Sequence, residues 1–366
     1  MSNLQLMYSG FQQSPWLDDL SRQLINDGKI KDFINRGIRG ITSNPSIFEH
    51  ALSGSTAYDE AIRSSALNAS AAEDLYWQLA IEDIQNTADL LNQVYIDSNH
   101  LDGYVSLEVS PNLAQDSDAT IKEARDLWKK VNRPNLMVKV PATKACLPAI
   151  KQLVSDGINI NVTLIFTLDR YKEVIDSYLT GLEECQQPLS SVHSVASFFV
   201  SRIDTEIDSR LEKIGTEDSL ALEGKSAVAS AQLAYEIFNQ YFSTTNERWN
   251  NLVKKGANLQ RPLWASTSTK NPQFDPLLYI KYLITSNTVS TIPEGTIALI
   301  ESARPEDIKL GITPQSIIES KITLDKVKNV GVDLEDVGIV LEQQGIEKFQ
   351  DAFNTLLSAL SPKMNH

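Results

Sequence analysis

Lys139 lies inside Leu136-Met137-Val138-Lys139-Val140-Pro141, a lone cation in an apolar run that reads as a buried strand. Burial disfavours the ammonium form and can lower a lysine pKa by several units. An unperturbed lysine, with a pKa of about 10.4, presents a free amine in only roughly one molecule in a few thousand at neutral pH. A lysine on a dry strand therefore makes an amine nucleophile that can attack a carbonyl and form a Schiff base. A lysine paired with a carboxylate for structural reasons fits the same residues, because ion-pair networks also perturb pKa values. Other apolar runs bear on the choice. Asp18, Asn44, Glu108, Asn161, Thr163 and Ser197 fall, with Lys139, on the first six candidate strands. Singly, each is an ordinary hydrogen-bonded polar residue. Together they offer an amine, two carboxylates for proton transfer, and amides and hydroxyls to hold a polyhydroxylated substrate. That set suits Schiff-base aldolase chemistry, in which a protonated imine draws electrons as the adjacent carbon–carbon bond breaks.

Such residues need strands to bring them together. The candidate strands are Trp16–Leu20, Gly40–Asn44, Tyr104–Val109, Met137–Pro141, Asn159–Ile165, Val195–Val200, Leu263–Thr267 and Val289–Ile292. Helical periodicity fills the gaps, for example over Ala71–Tyr95, Ala119–Lys130, Leu168–Glu184 and Leu220–Phe242. Eight strands each followed by helix predict an α/β fold, a (β/α)8 TIM barrel. An open doubly wound sheet would normally carry a glycine-rich phosphate loop after its first strand, and none is present. Beyond the eighth strand, Pro314–Ser320 and Leu334–Leu360 read as extra helices, the first opened by Thr313 as N-cap and Pro314 at the first helical position. The expectation is one barrel domain over residues 1–366, with additional C-terminal helices at about 305–362 packed on its outside or against a second subunit.

Alternation along the strands agrees. Asn159, Asn161 and Thr163 share one face, opposite Ile158, Ile160, Val162 and Leu164; Ser106, Glu108 and Ser110 oppose Val105, Leu107 and Val109. A purely structural barrel interior prefers Val, Ile and Leu, so polar groups late in several strands mark the C-terminal mouth as the active site.

Composition excludes other classes. The chain has 366 residues, 42% of them hydrophobic, and a net charge of −14. That balance argues against nucleic acid or an anionic membrane as partner, and an anionic substrate must be held by a few local cations. Cys146 and Cys185 form no disulfide framework or metal cluster. His50, His100, His193 and His366 show no zinc-binding spacing. No basic-then-apolar leader and no long apolar stretch is evident, and the expected compartment is the cytoplasm.

Several segments resemble the transaldolase family, closest to its longer bacterial members. Gly40-Ile41-Thr42-Ser43-Asn44-Pro45-Ser46-Ile47-Phe48 is similar to one family signature and Val138-Lys139-Val140-Pro141-Ala142-Thr143 to the lysine signature. Gly157-Ile158-Asn159-Ile160-Asn161-Val162-Thr163-Leu164, Val105-Ser106-Leu107-Glu108-Val109 and Ser197-Phe198-Phe199-Val200-Ser201-Arg202-Ile203-Asp204 resemble their counterparts, and the likeness runs from about Trp16 to Glu294. The resemblance implies transfer of a dihydroxyacetone unit between ketose and aldose phosphates in the pentose phosphate pathway. The implied donors are sedoheptulose 7-phosphate or fructose 6-phosphate, and the acceptors glyceraldehyde 3-phosphate or erythrose 4-phosphate. It implies no cofactor and no metal, because the lysine supplies the electron sink. Lys139 would form the Schiff base and Asp18 would act as acid/base. Glu108 and Thr163 would hold a proton-relaying water. Asn44, Asn161, Ser197 and Phe199 would contact the substrate, and Arg202 would bind its phosphate.

The first strand offers Asp18 and Asp19 side by side; parity with Trp16 favours Asp18. Where many relatives have a second phosphate-binding arginine, this chain offers Lys270, a point charge without the guanidinium fork, which also reads as a solvated loop lysine. The expected partners are phosphorylated sugars, with the protein a monomer or homodimer. The competing readings are a fructose-6-phosphate aldolase, against which Phe199 stands where those enzymes resemble the motif with tyrosine, and a silent sugar-phosphate-binding barrel, which should have lost part of the constellation.

Overall fold

The computed structural model describes residues 1–66 and 69–365; His366, one of the scattered histidines, lies outside them. Eight parallel strands close in sequence order. They are β1 Gln13–Leu17, β2 Gly40–Ile41, β3 Tyr104–Glu108, β4 Leu136–Pro141, β5 Ile160–Ile165, β6 Ser194–Phe199, β7 Gln260–Ala265 and β8 Thr288–Ile292. Helices intervene between them, and all the strand residues are buried. The expected (β/α)8 barrel is the observed fold.

The strand bounds differ from the sequence expectation in instructive ways. β1 starts three residues before Trp16 because buried Gln13 and Ser14 have interior partners. Gln13 Nε2 donates to Leu283 O at 2.7 Å and Thr288 Oγ1 at 2.9 Å. Asp18 follows the strand's last residue, its N–H still donating to Ile292 O at 3.0 Å. β2 is only Gly40–Ile41, and Asn44 is not on it. Asn44 instead caps helix Pro45–Ser53, its side chain accepting from the Ile47 N–H. β6, β7 and β8 likewise begin before the expected positions.

Leu168–Glu184 is helical over the span the periodicity predicts, and Ala72–Asp97 and Ser117–Val131 nearly so. Leu220–Phe242 is not one helix. A short turn of helix ends at Leu220, Gly224 takes φ 69°, and the long helix runs Ser226–Tyr241. Glycine in that left-handed conformation breaks the helical ladder where side-chain periodicity alone continues.

The helix expected over Pro314–Ser320 extends to Asn329, with Thr313 closing a capping box on Ser316. It packs on Ser226–Tyr241, where Ser320 donates to Gln232 Oε1 at 2.8 Å. The terminal helix, Leu334–Leu360, lies across the C-terminal ends of the strands. It packs on Pro45–Ser53, Ala72–Asp97 and Ser201–Ile214, and Phe353 meets Tyr76 edge-to-face at 5.3 Å. Two glycines seven residues apart permit that approach. A Cβ at Gly338 would overlap the Thr167 methyl, and one at Gly345 would lie 3.0 Å from Leu164 Cδ2 and 3.3 Å from Arg202 Nη1.

The opposite end of the barrel is closed by a buried polar knot. Fully buried Asp102 pairs with Arg39 at 2.7 Å and Arg261 at 2.9 Å, and also accepts from Ser14 Oγ. Burial pushes its carboxyl up, but the two guanidiniums prevail and hold it below the ordinary range. Two cations on one buried carboxylate tie the residue just before β2, the segment before β3, and β7 together. Among the described residues, no helix is long and apolar enough to cross a membrane.

Candidate active site

Register delivers the chemistry. β3 and β4 pair Glu108 with Lys139, and β4 and β5 pair Lys139 with Asn161 and Pro141 with Thr163. Residues level across a ladder share a face, so Glu108, Lys139 and Asn161 all point inward. Lys139 is the only buried lysine among the described residues. Its Nζ stands 3.2 Å from Glu108 Oε2 and donates to Ser43 O at 3.2 Å.

Burial pushes the Glu108 carboxyl above the ordinary glutamate range, opposed chiefly by Lys139 and then by Arg202. The approach to Lys139 is close enough for an ion pair, yet Glu108 Oε2 has no aligned hydrogen bond. Thr163 Oγ1, also buried, has no hydrogen-bond partner in the protein. Two such groups, on the strands either side of β4, are costly unless something polar bridges them.

Above this pair opens a pocket of about 180 Å³, lined by Asp18, Asn44, Lys139, Thr163, Ser197, Phe199 and Arg202. Asp18 accepts from Thr42 Oγ1 at 2.8 Å, which fixes its carboxylate toward the pocket; Asp19 does not line it. Burial pushes the Asp19 carboxyl up.

Asn161 lies just beneath, its amide engaged at both ends: Nδ2 donates to Ser106 Oγ at 3.1 Å and Oδ1 accepts from Ser197 Oγ at 2.7 Å. In this arrangement it positions Ser197 and does not itself reach the pocket. Asn44 Oδ1 is likewise engaged in capping, which leaves its Nδ2 for the pocket. Arg202 stands in the first turn of helix Ser201–Ile214, directly after β6, stacked 5.0 Å from the Phe199 ring and 5.8 Å from that of Phe349. Lys270 is on the exposed loop after β7, its Nζ donating to Ser268 Oγ. It does not line the pocket itself.

Thr42, Lys348 and Phe349 are among the lining residues not singled out as site candidates from sequence. Thr42 shares alternation with Gly40 within a segment already under suspicion. Lys348 and Phe349 sit on the terminal helix, well beyond the last barrel strand, β8, which ends at Ile292. The two glycines of that helix were the readable sign that one face must approach another element closely. A larger groove of about 830 Å³ lies elsewhere, between Leu168–Glu184, Pro314–Asn329 and the start of the terminal helix, and holds none of the inward polar set.

A closed parallel barrel with an amine–carboxylate pair at its C-terminal mouth defines an enzyme of the (β/α)8 class. A family model described as "Transaldolase/Fructose-6-phosphate aldolase" matches residues 15–360. Relatives named transaldolase are similar along nearly the whole chain. The one from Mycolicibacterium smegmatis is 46% identical over 356 residues, 96% of this chain and 95% of its own. That from Thermobifida fusca is 44% identical, covering 95% of each chain, and that from Saccharopolyspora erythraea 43%, covering 100% of this chain and 98% of its own. The chain belongs to the transaldolase/fructose-6-phosphate aldolase family, and its relatives place it with the transaldolases.

Proposed function

We propose that this enzyme transfers a dihydroxyacetone unit from a ketose phosphate to an aldose phosphate through a Schiff base on Lys139. The observation that carries the reading is a solitary buried lysine facing a pocket of about 180 Å³, with a carboxylate 3.2 Å from its amine.

Nζ attacks the ketose carbonyl, water leaves, and the protonated imine accepts the electron pair as the bond between C3 and C4 breaks. Asp18, fixed by Thr42, takes the proton from the C4 hydroxyl as the aldose phosphate departs. The bound enamine then attacks the aldehyde of the acceptor, Asp18 returns the proton, and water releases the new ketose. Glu108 and Thr163 present buried, unpartnered oxygens that suit a bound water relaying protons during imine formation and hydrolysis. Ser197 and the Asn44 amide face the sugar hydroxyls, and Phe199 walls the pocket. Arg202 faces the phosphate, its fork supported by the N-terminal end of helix Ser201–Ile214.

The partners are thus phosphorylated sugars, with sedoheptulose 7-phosphate or fructose 6-phosphate as donor. Buried, unpaired Cys146 accords with a reducing compartment, the cytoplasm.

Incubation with fructose 6-phosphate followed by borohydride should leave a stable adduct on Lys139, found by peptide mass spectrometry. An adduct on another lysine, or none under turnover, refutes the reading. Release of free dihydroxyacetone without an acceptor would favour the aldolase alternative, and no turnover at all a silent barrel.

A further inference from the structure

We propose that Lys348, on the terminal helix, binds the anionic end of the substrate together with Arg202 and Lys270. This rests on the sugar-phosphate reading and adds a residue to the same site. The helix is then part of the substrate site as well as its cover.

Lys348 and Arg202 line one pocket. Gly345 brings the terminal helix against the Arg202 guanidinium, and Lys348 lies one turn further along the same face. Helical side chains lean toward the N-terminus of their helix, so Lys348 leans back toward Arg202. Phe349 is buried beside it, with its ring under both Arg202 and Lys139 at 5.8 and 5.9 Å. That anchors the turn carrying Lys348.

The charge balance is the second observation. Among the described residues, neither Arg202, Lys270 nor Lys348 has a carboxylate within 4.0 Å, although the chain carries 47 acidic residues against 33 Lys and Arg. Some lysines elsewhere pair, Lys321 with Glu236 and Lys281 with Asp275, each at 2.6 Å, and others, such as Lys254 and Lys326, do not among the described residues, so it is the convergence of the three that distinguishes this rim. Lys270 is held below the ordinary lysine range, first by partial burial, then by the charges of Lys348 and Arg202. Three cations therefore lie near one another at the rim, none paired with a carboxylate and with Asp18 and Glu108 acting on Arg202 only from farther off, in a protein whose overall field repels anions. A phosphate dianion relieves that repulsion. No arginine occurs from Ala265 to Leu277 to supply a second fork after β7, so two point charges from different elements take its place.

The test uses the full chain with K348A and K348R, each checked by thermal melting against the unsubstituted protein. K348A should raise KM for fructose 6-phosphate about tenfold, the worth of a charge-assisted contact at a partly exposed site. The effect on kcat should be several-fold smaller, and K348R should restore most of the loss. Unphosphorylated fructose should lose much less than its phosphate ester.

Inorganic phosphate, titrated calorimetrically, gives a readout independent of turnover: K348A should weaken its binding by a similar factor. Unchanged KM and unchanged phosphate binding in K348A overturn the proposal while leaving the transaldolase reading intact. Equal losses for both sugars also overturn it, because Lys348 would then be holding the helix. If the unsubstituted protein forms no Lys139 adduct but K348A still weakens phosphate binding, the functional reading fails and the anion site stands.

Discussion

At Glu108, proton relay and ion pairing can be separated by one substitution. Glu108→Gln keeps the shape and can still hydrogen-bond a water, but cannot accept a proton. A relay role predicts that kcat falls by about 10²–10⁴ while the fold persists and some Schiff base is still trapped on Lys139. A pairing role predicts altered melting and a shifted pH profile with kcat at the optimum nearly intact, and that outcome would refute the relay. Because burial holds the Glu108 carboxyl above its ordinary 4.5, the acid limb of the pH–rate profile should lie above that of a free glutamate. Lys139→Arg should abolish adduct formation without unfolding the chain, since guanidinium stays protonated and cannot attack a carbonyl. Arg202→Ala should raise KM for phosphorylated sugars, a charge-assisted pair being worth roughly 1.5–3 kcal/mol, with a smaller effect on unphosphorylated ketoses.

At the scale of elements, the terminal helix is held over the mouth by contacts that only glycine permits. Gly338→Val places a branched side chain where the Thr167 methyl already sits. Overpacking of this kind costs typically about 1–3 kcal/mol, taken up either in stability or by lifting the helix. Lifting it would withdraw both Phe349 and Lys348 from the pocket, so kcat/KM should fall along with the melting temperature, and the helix should become the first site of limited proteolysis. Full activity with a normal melting curve would show that the close approach at Thr167 does not hold the helix in place.

Over the whole molecule, buried carboxylates give opposing pH dependences. Asp102, depressed by Arg39 and Arg261, contributes stability that is present above its unfolded pKa and lost as the pH falls through its folded one. Asp208 behaves in the opposite sense. Burial, partly offset by the Gly224 N–H and reinforced by Asp204, raises it from the ordinary 3.8 to about 7. The folded state thus favours its protonated form, and that contribution is lost as the pH rises from about 4 to about 7. Asp208→Asn can still accept from Gly224, so its melting temperature relative to the unsubstituted protein should climb across that interval and level off above it. A pH-independent difference would mean that Asp208 ionises in the fold like a free aspartate.

What the sequence determined by itself was which face each strand residue occupies. Period-two alternation put Glu108, Lys139, Asn161 and Thr163 on the polar side, and a parallel barrel has only one interior for that side to face. Local signals were equally readable: Thr313 and Pro314 start a helix because capping is a contact between neighbours, and Leu168–Glu184 and Leu334–Leu360 follow from helical periodicity. Tertiary structure decided the rest. Gln13 and Ser14 are strand residues because they pair in register with Thr288 and Val289 of β8, and Asn44 caps a helix although the expected strand reached it. Asn161 turns its amide to Ser106 and Ser197, so a residue on the correct face stops short of the pocket. Above all, the placement of the terminal helix, and with it Lys348 and Phe349 at the mouth, depends on packing against elements far away in the chain. Amphipathic periodicity says that a helix has a face to bury; it does not say against what.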